Sequence, residues 1–362
     1  MKLQNRNILI VSNEKWGDVW YSKHNWANEL SLNNNTVYFI NPPEKWKFSN
    51  LFSSKIKATK YAKNLNIINY CNRLPLTRFE LIYKINDTII SRDLRQWFSR
   101  NNVKEYIFLT FDPYRFSNPK QLKPIISIYF IADKYTIKRE KLLIRNADFL
   151  ITVSPALNIL SEVKKTLTLS HGISETEFQP DAEIEINQGY ILYIGNIDYR
   201  LDYSFIKQAL INLPEERFVF IGNINAPLNN SIFEELFVQN KFSNLTYHPA
   251  VHFKKLKNYI AKAKVCIAPM NLDVNGNNIN HHKLLQYLAQ GKPIVAASFK
   301  DYESNDILIS YRKQEEGILH LKSFVSIAEK NEAIEKRVSF AKKYIYKNLI
   351  LQIEDFLLKN KI

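Results

Sequence analysis

Glycine is scarce in this chain, with 8 among 362 residues. No two glycines have the spacing of a P-loop, a Gly-x-Gly-x-x-Gly turn or a Gly-x-Ser-x-Gly elbow. These turns mark phosphate-binding loops, dinucleotide-binding domains and α/β-hydrolases. Kinase, dehydrogenase and hydrolase interpretations therefore lose their usual markers.

Cysteine and long hydrophobic runs are also nearly missing. Only Cys71 and Cys266 occur, which excludes a disulfide scaffold and a cysteine-based zinc module and fits a reducing cytosol. The longest apolar run, residues 125–132, contains a serine and is well short of the ~20 residues that a membrane-spanning helix needs. Residues 1–7 are polar and the run at 8–11 is too short for a secretory signal. We expect a cytoplasmic protein that is soluble or peripheral to the membrane.

What is present is an ordinary globular composition, with 46% hydrophobic, 13% aromatic and 23% charged residues. A length of 362 residues at roughly 150 residues per domain predicts two domains. Short apolar segments alternate with helical segments along the chain, which indicates parallel sheets covered on both faces. The alternation restarts after a polar stretch at residues 174–188.

The predicted fold class is therefore α/β, with two Rossmann-like doubly wound domains that face a cleft. We place the first domain at residues 1–173 and the second at 174–340. Residues 341–362 are expected to form a C-terminal helix that returns to the first domain. Ligands of doubly wound sheets bind at the carboxyl ends of the strands, so both domains are expected to direct that edge to the cleft.

Positive charge is concentrated in the first half of the chain. The net charge is +15, and residues 1–180 hold 27 Lys and Arg against 15 Asp and Glu. The densest stretch, residues 44–63, interleaves lysines with aromatic and apolar residues: Lys45, Lys47, Lys55, Lys57, Lys60 and Lys63 with Trp46, Phe48, Leu51 and Phe52. A second patch holds Arg92, Arg95, Trp97, Phe98 and Arg100. The pattern predicts contact with an anionic membrane surface, the alternative being a solvated face; no nucleic-acid-binding motif accompanies it, so no nucleic acid partner is expected.

A polar loop at residues 271–283 follows one predicted strand and precedes a helix, which suits an anionic ligand at the helix N-terminus. The segment HHKLLQYLAQGKPIVAAS at 281–298 resembles the nucleotide-sugar motif of glycosyltransferases with the GT-B fold. Residues 147–157, 170–178, 190–200 and 256–269 agree in order and spacing. The set is similar to family 4-type, teichuronic-acid and xanthan-type polysaccharide glycosyltransferases.

The resemblance implies a donor site in the second domain for a UDP- or GDP-linked sugar. Gln286 stands where the family usually has a Glu that binds the ribose hydroxyls, and Asn278 where many members have a Glu that contacts the donor sugar. Lys283 and Arg200 are the candidates for the diphosphate, with surface roles as the alternative. His252 is expected to border the nucleotide base. Because both carboxylates are replaced by amides, a different donor, a different mechanism or an inactive relative all stay open.

The catalytic and acceptor residues are expected in the first domain. Asp133 follows an apolar strand, where it can act as the general base of an inverting transfer; the alternative is a cap for the next helix. The loop after the first strand holds Trp16, Asp18, Trp20 and His24. Its aromatic rings suit sugar faces and its polar groups suit hydroxyls. Packing of the tryptophans and helix capping by His24 are the alternatives.

No metal and no cofactor besides the sugar nucleotide are expected. His281 and His282 are adjacent, and Pro249 lies between His248 and His252, so neither pair has metal-ligand spacing on a helix.

The predicted function is that of a metal-independent glycosyltransferase in surface polysaccharide biosynthesis, which acts on a lipid-linked saccharide acceptor. The alternatives are a non-catalytic nucleotide- or carbohydrate-binding relative and a nucleotide-sugar epimerase. Retention or inversion stays open.

Overall fold

The computed structural model of the chain describes residues 1–52, 56–133, 135, 137–158, 165–181, 189–227, 229–274, 281–299, 302, 306–326 and 329–361. The chain divides into two compact units. Unit 1 consists of Met1–Ser170 and Leu349–Ile362, and unit 2 of His171–Asn348. Unit 1 is thus built from both ends of the sequence, while unit 2 is continuous.

In its described part, unit 1 holds an eight-stranded sheet. Its strands are β1 (Asn7–Val11), β2 (Thr36–Ile40), β3 (Lys57–Ala62), β4 (Leu65–Asn69), β5 (Ile107–Thr110), β6 (Ile126–Ile131), β7 (Phe149–Thr152) and β8 (Thr166–Thr168). The strand order is β3-β4-β2-β1-β5-β6-β7-β8. All neighbouring pairs are parallel except β3 with β4.

Three helices lie between these strands in the described part of unit 1. They are α1 (Ser22–Leu32), α2 (Glu80–Arg100) and α3 (Lys138–Asn146), with 3-10 turns at Phe48–Leu51, Pro119–Leu122 and Pro155–Leu157. The strands β1, β5 and β6 are apolar over nearly their whole length and almost entirely buried. Continuous apolar runs of this kind form where helices cover both faces of a parallel sheet.

The edge strand β3 is the exception to this burial. Its residues KATKYA are all exposed, and it was not predicted as a strand because its sequence lacks the apolar run. It belongs to the basic stretch at residues 44–63 and carries Lys57 and Lys60. Lysines on an exposed edge strand are a common protection against pairing with other chains.

Unit 2 holds a second, all-parallel sheet, with six strands among the described residues. The strands are β9 (Tyr190–Ile194), β10 (Phe218–Ile221), β11 (Leu245–His248), β12 (Ala263–Ala268), β13 (Ile294–Ala297) and β14 (Ile309–Tyr311). Their order is β11-β10-β9-β12-β13-β14 and every neighbouring pair is parallel. The predicted fold class of two doubly wound α/β sheets is thereby confirmed.

The described helices of unit 2 connect or follow the strands of its sheet. They are α4 (Tyr203–Asn212), α5 (Ser231–Phe233), which continues as a π-helical turn at Glu234–Val238, α6 (Phe253–Lys262), α7 (His282–Ala289), α8 (Gln314–Ser326) and α9 (Asn331–Lys342). A 3-10 turn spans Glu175–Glu177, and α10 (Tyr346–Lys359) begins in unit 2 and ends in unit 1. The core consists mainly of the strands with Tyr287 and the other buried residues of α7.

Two details differ from the sequence expectations. The sequence pattern predicts a helix over residues 256–264, but α6 ends at Lys262, because Ala263 and Lys264 already belong to β12. In the second basic patch, Phe98 is a core residue and Trp97 packs edge-on against it, so that patch presents arginines without exposed aromatics. None of the described helices is both long enough and apolar enough to cross a membrane.

The strand orders locate the ligand-binding edge of each unit. In unit 1 the connections leave β1 and β5 in opposite directions, and in unit 2 the same change of direction occurs between β9 and β12. Such a switch point opens a crevice at the carboxyl ends of the two strands. The loops after β1 and β9 carry Trp16, Asp18, Trp20 and Arg200, and Lys283 lies in the first turn of the helix that follows β12.

Candidate functional site

The loop after β9 is tied to its neighbours by the main chain. The N–H of Asn271 donates to the carbonyl of Arg200 at 2.8 Å, and the N–H of Asp202 donates to Pro269 at 2.9 Å. The Arg200 guanidinium donates two hydrogen bonds to the Asp198 carboxylate. Its Nη2 lies 2.7 Å from Oδ2 of Asp198, and its Nε lies 3.0 Å from Oδ1. The ion pair raises the pKa of Arg200, so this half-buried cation is charged and held in place.

Lys283 enters the same crevice from the first turn of α7. Its Nζ donates to the Tyr193 hydroxyl at 3.0 Å and lies 4.3 Å from the centre of the Tyr193 ring. The Tyr193 hydroxyl in turn donates to the carbonyl of Asn196 at 2.9 Å. None of the carboxylates in the described ranges lies within ion-pair distance of Lys283. Among the described residues, its recorded partner is therefore Tyr193, through both the hydroxyl group and the ring face.

Burial makes this arrangement costly for the Lys283 charge. Desolvation and the nearby Arg200 lower the pKa of Lys283 to about 7, and Asp198 offsets only part of that effect. A partly buried cation that has no paired anion among the described residues is destabilising until an anion binds. Because the group also lies at the start of α7, where the helix dipole favours negative charge, the crevice is suited to a phosphate.

Gln286 lies one turn further along α7 and contacts the segment before β9. Its side-chain Nε2 donates to Oε2 of Glu177 at 2.7 Å. Gln290 donates to the main-chain carbonyl of the same Glu177 at 2.5 Å. Burial raises the pKa of Glu177, and hydrogen bonds from Gln286 and the Ser174 main chain oppose the rise. The resemblance places residues 170–178 in the crossover between the two domains and gives Glu177 no role, so this contact was not predicted.

The two remaining candidates for the donor site are His252 and Asn278. His252 is the N-cap of α6, where its Nδ1 accepts from the Lys254 N–H at 3.3 Å and its ring packs on Phe253. Its place after β11 lies at the outer strand of the sheet. Asn278 falls in residues 275–280, outside the described residues.

In unit 1, the loop after β1 forms an aromatic cluster around Trp16. The Trp16 ring lies 5.1 Å from Trp20, 4.9 Å from Phe39 and 4.9 Å from Tyr61, in edge-on geometry. The main-chain N–H of Trp16 donates to Oδ1 of Asn41 at 2.8 Å. Asp18 is exposed between the two tryptophans. The structure thus shows the tryptophans packed together, with Asp18 on the outside.

His24 is fully buried at the start of α1. Its Nδ1 accepts from the Tyr21 N–H at 3.1 Å and its Nε2 lies 3.1 Å from the Lys15 carbonyl. Burial lowers the pKa of His24 to about 4, so the ring is neutral near pH 7. Because both nitrogens bond to main chain, His24 connects the Trp16 loop to α1, which agrees with the capping alternative.

Asp133 is exposed two residues after the end of β6. It does not cap the next helix, because α3 begins at Lys138 with Ile137 at its N-cap position. Lys23 lies nearby on α1, where burial lowers its pKa and the charges of Glu14, Asp133 and Asp112 oppose the shift. Lys23 donates to Oδ1 of Asn13 at 2.5 Å. The carboxyl edge of unit 1 therefore gathers one buried cation and an exposed carboxylate.

Asp112, by contrast, is a structural group. Its Oδ2 accepts from Nε of Arg115 at 2.6 Å, and the pair is almost fully buried. Arg115 also donates to the Asn41 carbonyl at 2.9 Å and to the Tyr70 hydroxyl at 2.7 Å. The pair joins the ends of β2, β4 and β5. Among the residues that the structure describes, no group of three or more His, Cys, Asp or Glu side chains has the arrangement of a metal site.

Comparison with protein families returns no family model that matches this chain. Among curated proteins, it is similar to TuaH of Bacillus subtilis (strain 168), whose name describes a glycosyltransferase of teichuronic acid biosynthesis. The two are 26% identical over 142 residues, which is 37% of this chain and 35% of that protein. The match thus spans about a third of the relative's length.

Solved structures match over nearly the whole chain. A sucrose-phosphate synthase from Thermosynechococcus elongatus has a TM-score of 0.69 at 14% identity, covering 98% of both chains. A trehalose-6-phosphate structure from E. coli bound with UDP-2-fluoro glucose has a TM-score of 0.66 at 13% identity, covering 97% of this chain and 98% of that chain.

The lipopolysaccharide outer core galactosyltransferase WaaB has a TM-score of 0.60 at 11% identity, covering 98% of this chain and 99% of that chain. These neighbours are GT-B glycosyltransferases, and at 11–14% identity the likeness shows the fold of this chain. The resemblance drawn from the segment at 281–298 is thereby confirmed: the chain has the GT-B glycosyltransferase fold.

Proposed function

We propose that this chain transfers a sugar from a nucleoside-diphosphate sugar, UDP- or GDP-linked, to a saccharide acceptor. One observation carries the proposal. Lys283 is a desolvated ammonium group at the start of α7, beside the Asp198–Arg200 pair, and within the described ranges its hydrogen-bond partner is a tyrosine rather than a carboxylate. Such a group is poised for a ligand that brings its own negative charge.

In this proposal the donor diphosphate lies between Lys283 and Arg200. Asp198 neutralises part of the Arg200 charge and fixes its direction, so Lys283 supplies the larger share of the attraction. As the sugar leaves, negative charge grows on the nucleoside diphosphate, and fixed cations stabilise it without reorganisation. The two cations and the α7 N-terminus take the place of a metal ion, so the transfer is metal-independent. Gln286, Asn278 and His252 complete the donor site at the ribose, sugar and base.

The acceptor is proposed to bind at the carboxyl edge of unit 1. Asp133 is free of the next helix and exposed, so it can accept the proton of an acceptor hydroxyl as that oxygen attacks the sugar. Trp16, Trp20 and Asp18 offer ring faces and a carboxylate to the saccharide. His24 supports this loop through its two main-chain contacts.

The acceptor is proposed to be lipid-linked, and the protein to bind the inner face of the cell membrane peripherally, in surface polysaccharide biosynthesis. Phe48 and Phe52 are 70% and 78% exposed, and their rings lie 6.3 Å apart. Lys47 lies beside them, and the fully exposed strand β3 adds Lys57 and Lys60. Exposed aromatic rings among lysines suit an anionic lipid surface.

The donor proposal is tested by calorimetry and turnover with a panel of UDP- and GDP-sugars. Wild type should bind at least one nucleotide, and Lys283→Ala should weaken that binding by about 10- to 100-fold, the loss of one to two charge-assisted contacts. Lys313→Ala removes an exposed lysine of the same unit and should bind as wild type does. Folded wild-type protein that neither binds nor turns over any nucleotide sugar would defeat the proposal.

The membrane proposal is tested by sedimentation with vesicles that contain phosphatidylglycerol. Replacing Phe48 and Phe52 together by Ser should reduce vesicle binding several-fold and leave nucleotide binding unchanged. Leu319→Ser is the matched control, because Leu319 is 65% exposed on unit 2. Equal vesicle binding by all three proteins would contradict this surface.

One alternative keeps specific support. Gln286 carries no charge at the position where the resemblance implies a carboxylate, which favours a non-catalytic nucleotide-binding relative. Tight UDP or GDP binding without transfer or hydrolysis of any sugar in the panel would decide for that alternative.

A further inference from the structure

The contact between Gln286 and Glu177 joins segments that are 109 residues apart in sequence, at an N–O distance of 2.7 Å. Gln286 is 9% exposed, and the Glu177 carboxylate is desolvated. Burying a carboxylate is unfavourable unless hydrogen bonds compensate. Glu177 is held by the Gln286 amide and the Ser174 main chain, so the pair is a built feature of unit 2.

The contact also determines how the Gln286 amide is turned. A carboxamide has a donor end and an acceptor end, whereas an ionised carboxylate only accepts. The Glu177 carboxylate therefore selects the NH2 end of Gln286 and leaves its carbonyl oxygen directed away. A charge-assisted bond to the N–H also polarises the amide and makes its oxygen a better acceptor.

We infer that Glu177 is a positioning residue that fixes the Gln286 carbonyl oxygen as the acceptor for a ribose hydroxyl of the nucleotide. The inference rests on the proposed function, since it assumes that a nucleotide binds along α7. Under this inference the negative charge of the ribose subsite resides on Glu177, in the segment before β9. That charge acts on the ribose through the side-chain amide of Gln286. Lys283, at i−3 on the same helix, then lies on the phosphate side.

The test compares binding of UDP with binding of 2′-deoxy-UDP and 3′-deoxy-UDP, measured by calorimetry, with GDP and its deoxy forms in parallel. Wild type should prefer at least one ribonucleotide over its deoxy form by about tenfold, the value of one well-oriented hydrogen bond. Glu177→Gln can donate as well as accept, so it no longer orients Gln286. In this variant the affinity for the ribonucleotide should fall by about tenfold, while the affinity for the deoxy form should change by less than about threefold.

A charge exchange separates this role from a structural one. Gln286→Glu alone places two carboxylates in contact and should lose both nucleotide affinity and thermal stability. Glu177→Gln combined with Gln286→Glu restores one amide facing one carboxylate. The combined variant should recover ribonucleotide affinity to within about threefold of wild type, together with the preference over the deoxy form.

Gln290 provides the matched control, because it contacts Glu177 through the main-chain carbonyl. Gln290→Met should change thermal stability without altering the ribonucleotide preference. The inference is overturned if Glu177→Gln lowers the affinities for the ribonucleotide and its deoxy form equally. It is equally overturned if the combined variant binds the ribonucleotide no more tightly than Gln286→Glu does. It is also overturned if the wild type shows no preference for ribose. Failure of wild type to bind any nucleotide would instead overturn the proposed function.

Discussion

At the residue scale, the properties of Lys283 arise from what surrounds it. Desolvation works against the ammonium charge, and the positive charge of Arg200 adds to that effect. The hydrogen bond to Tyr193 is neutral and does not replace an ion pair. A bound diphosphate would supply the missing anion and raise the pKa of Lys283 towards its ordinary value.

The first prediction is therefore a pH-dependent nucleotide affinity. With a pKa of about 7 in the free protein and a higher pKa in the complex, Lys283 takes up a proton on binding above pH 7. The dissociation constant for UDP or GDP should rise from pH 7 to pH 9, by at most tenfold per pH unit. This window lies above the phosphate pKa of about 6. Calorimetry in Tris and in HEPES measures the proton uptake, which should approach one per site at pH 8.

Lys283→Arg supplies the control for this prediction. A guanidinium stays charged over the whole range, so this variant should bind nucleotide with little pH dependence and no proton uptake from that residue. A wild-type affinity that is flat from pH 7 to pH 9 would contradict the assignment.

The second prediction concerns Asp133. If Asp133 is the general base of an inverting transfer, Asp133→Asn should lower the transfer rate by about 10²- to 10⁴-fold and leave nucleotide affinity unchanged. NMR of the product should show inversion at the anomeric carbon. Asp306→Asn, at a 97% exposed carboxylate of unit 2, should transfer at the wild-type rate. A variant Asp133→Asn with only mildly reduced transfer, and a product with retained configuration, would reassign the residue.

At the element scale, two glycines allow the loops after β9 and β10 to approach each other. Gly222 has φ +158°, and a Cβ there would lie 1.9 Å from the carbonyl oxygen of Gly195. Gly195 has φ +143°, and a Cβ there would lie 2.7 Å from the Lys283 Nζ. The close approach of the strand ends is thus linked to the position of the candidate phosphate-binding lysine.

The third prediction follows from this contact. Gly222→Ala must displace the β9 loop backbone and should reduce the free energy of unfolding of unit 2 by about 3 kcal/mol, as measured by urea denaturation. The variant should also bind nucleotide more weakly than wild type, since the loop after β9 carries Arg200. Gly17→Ala is the control, because a Cβ at Gly17 meets no heavy atom within 4 Å. Equal stabilities of the two variants would show that the loops do not need this approach.

At the scale of the whole molecule, unit 1 depends on the last residues of the chain. Leu349–Ile362 belong to it by their contacts. The N–H of Leu3 donates to Oε1 of Glu354 at 2.6 Å, and the Phe356 ring lies 5.5 Å from Phe149 in β7. Leu357 is fully buried. The second half of α10 therefore completes a core that is otherwise made by the first 170 residues.

The fourth prediction uses this dependence. Leu357→Ala should cost about 2 to 5 kcal/mol of stability, and hydrogen exchange should quicken in β7 of unit 1 more than in β10 of unit 2. The neighbouring Leu358 is 57% exposed, so Leu358→Ala should leave exchange in both strands unchanged. A uniform increase in both units would indicate that α10 does not belong specifically to unit 1.

Local sequence patterns were enough to predict the two α/β units. Strands such as β1, β6 and β9 are buried on both faces, so each shows a continuous apolar run that is visible locally. The segment at 281–298 likewise indicated the fold, because α7 and β13 follow each other directly in the chain. By contrast, β3 is an exposed edge strand and α2 has a weakly amphipathic sequence, so local patterns did not predict them.

Which side chains meet at the carboxyl edges of the sheets depends on contacts between residues that are distant in the chain. Glu177 reaches Gln286 across 109 positions, and Lys283 meets Tyr193 across 90. The occupied nitrogens of His24 likewise depend on how the loop from β1 folds back on α1. Local periodicity fixes which face of an element is apolar, whereas charge pairing and desolvation depend on neighbours that the sequence does not place next to each other.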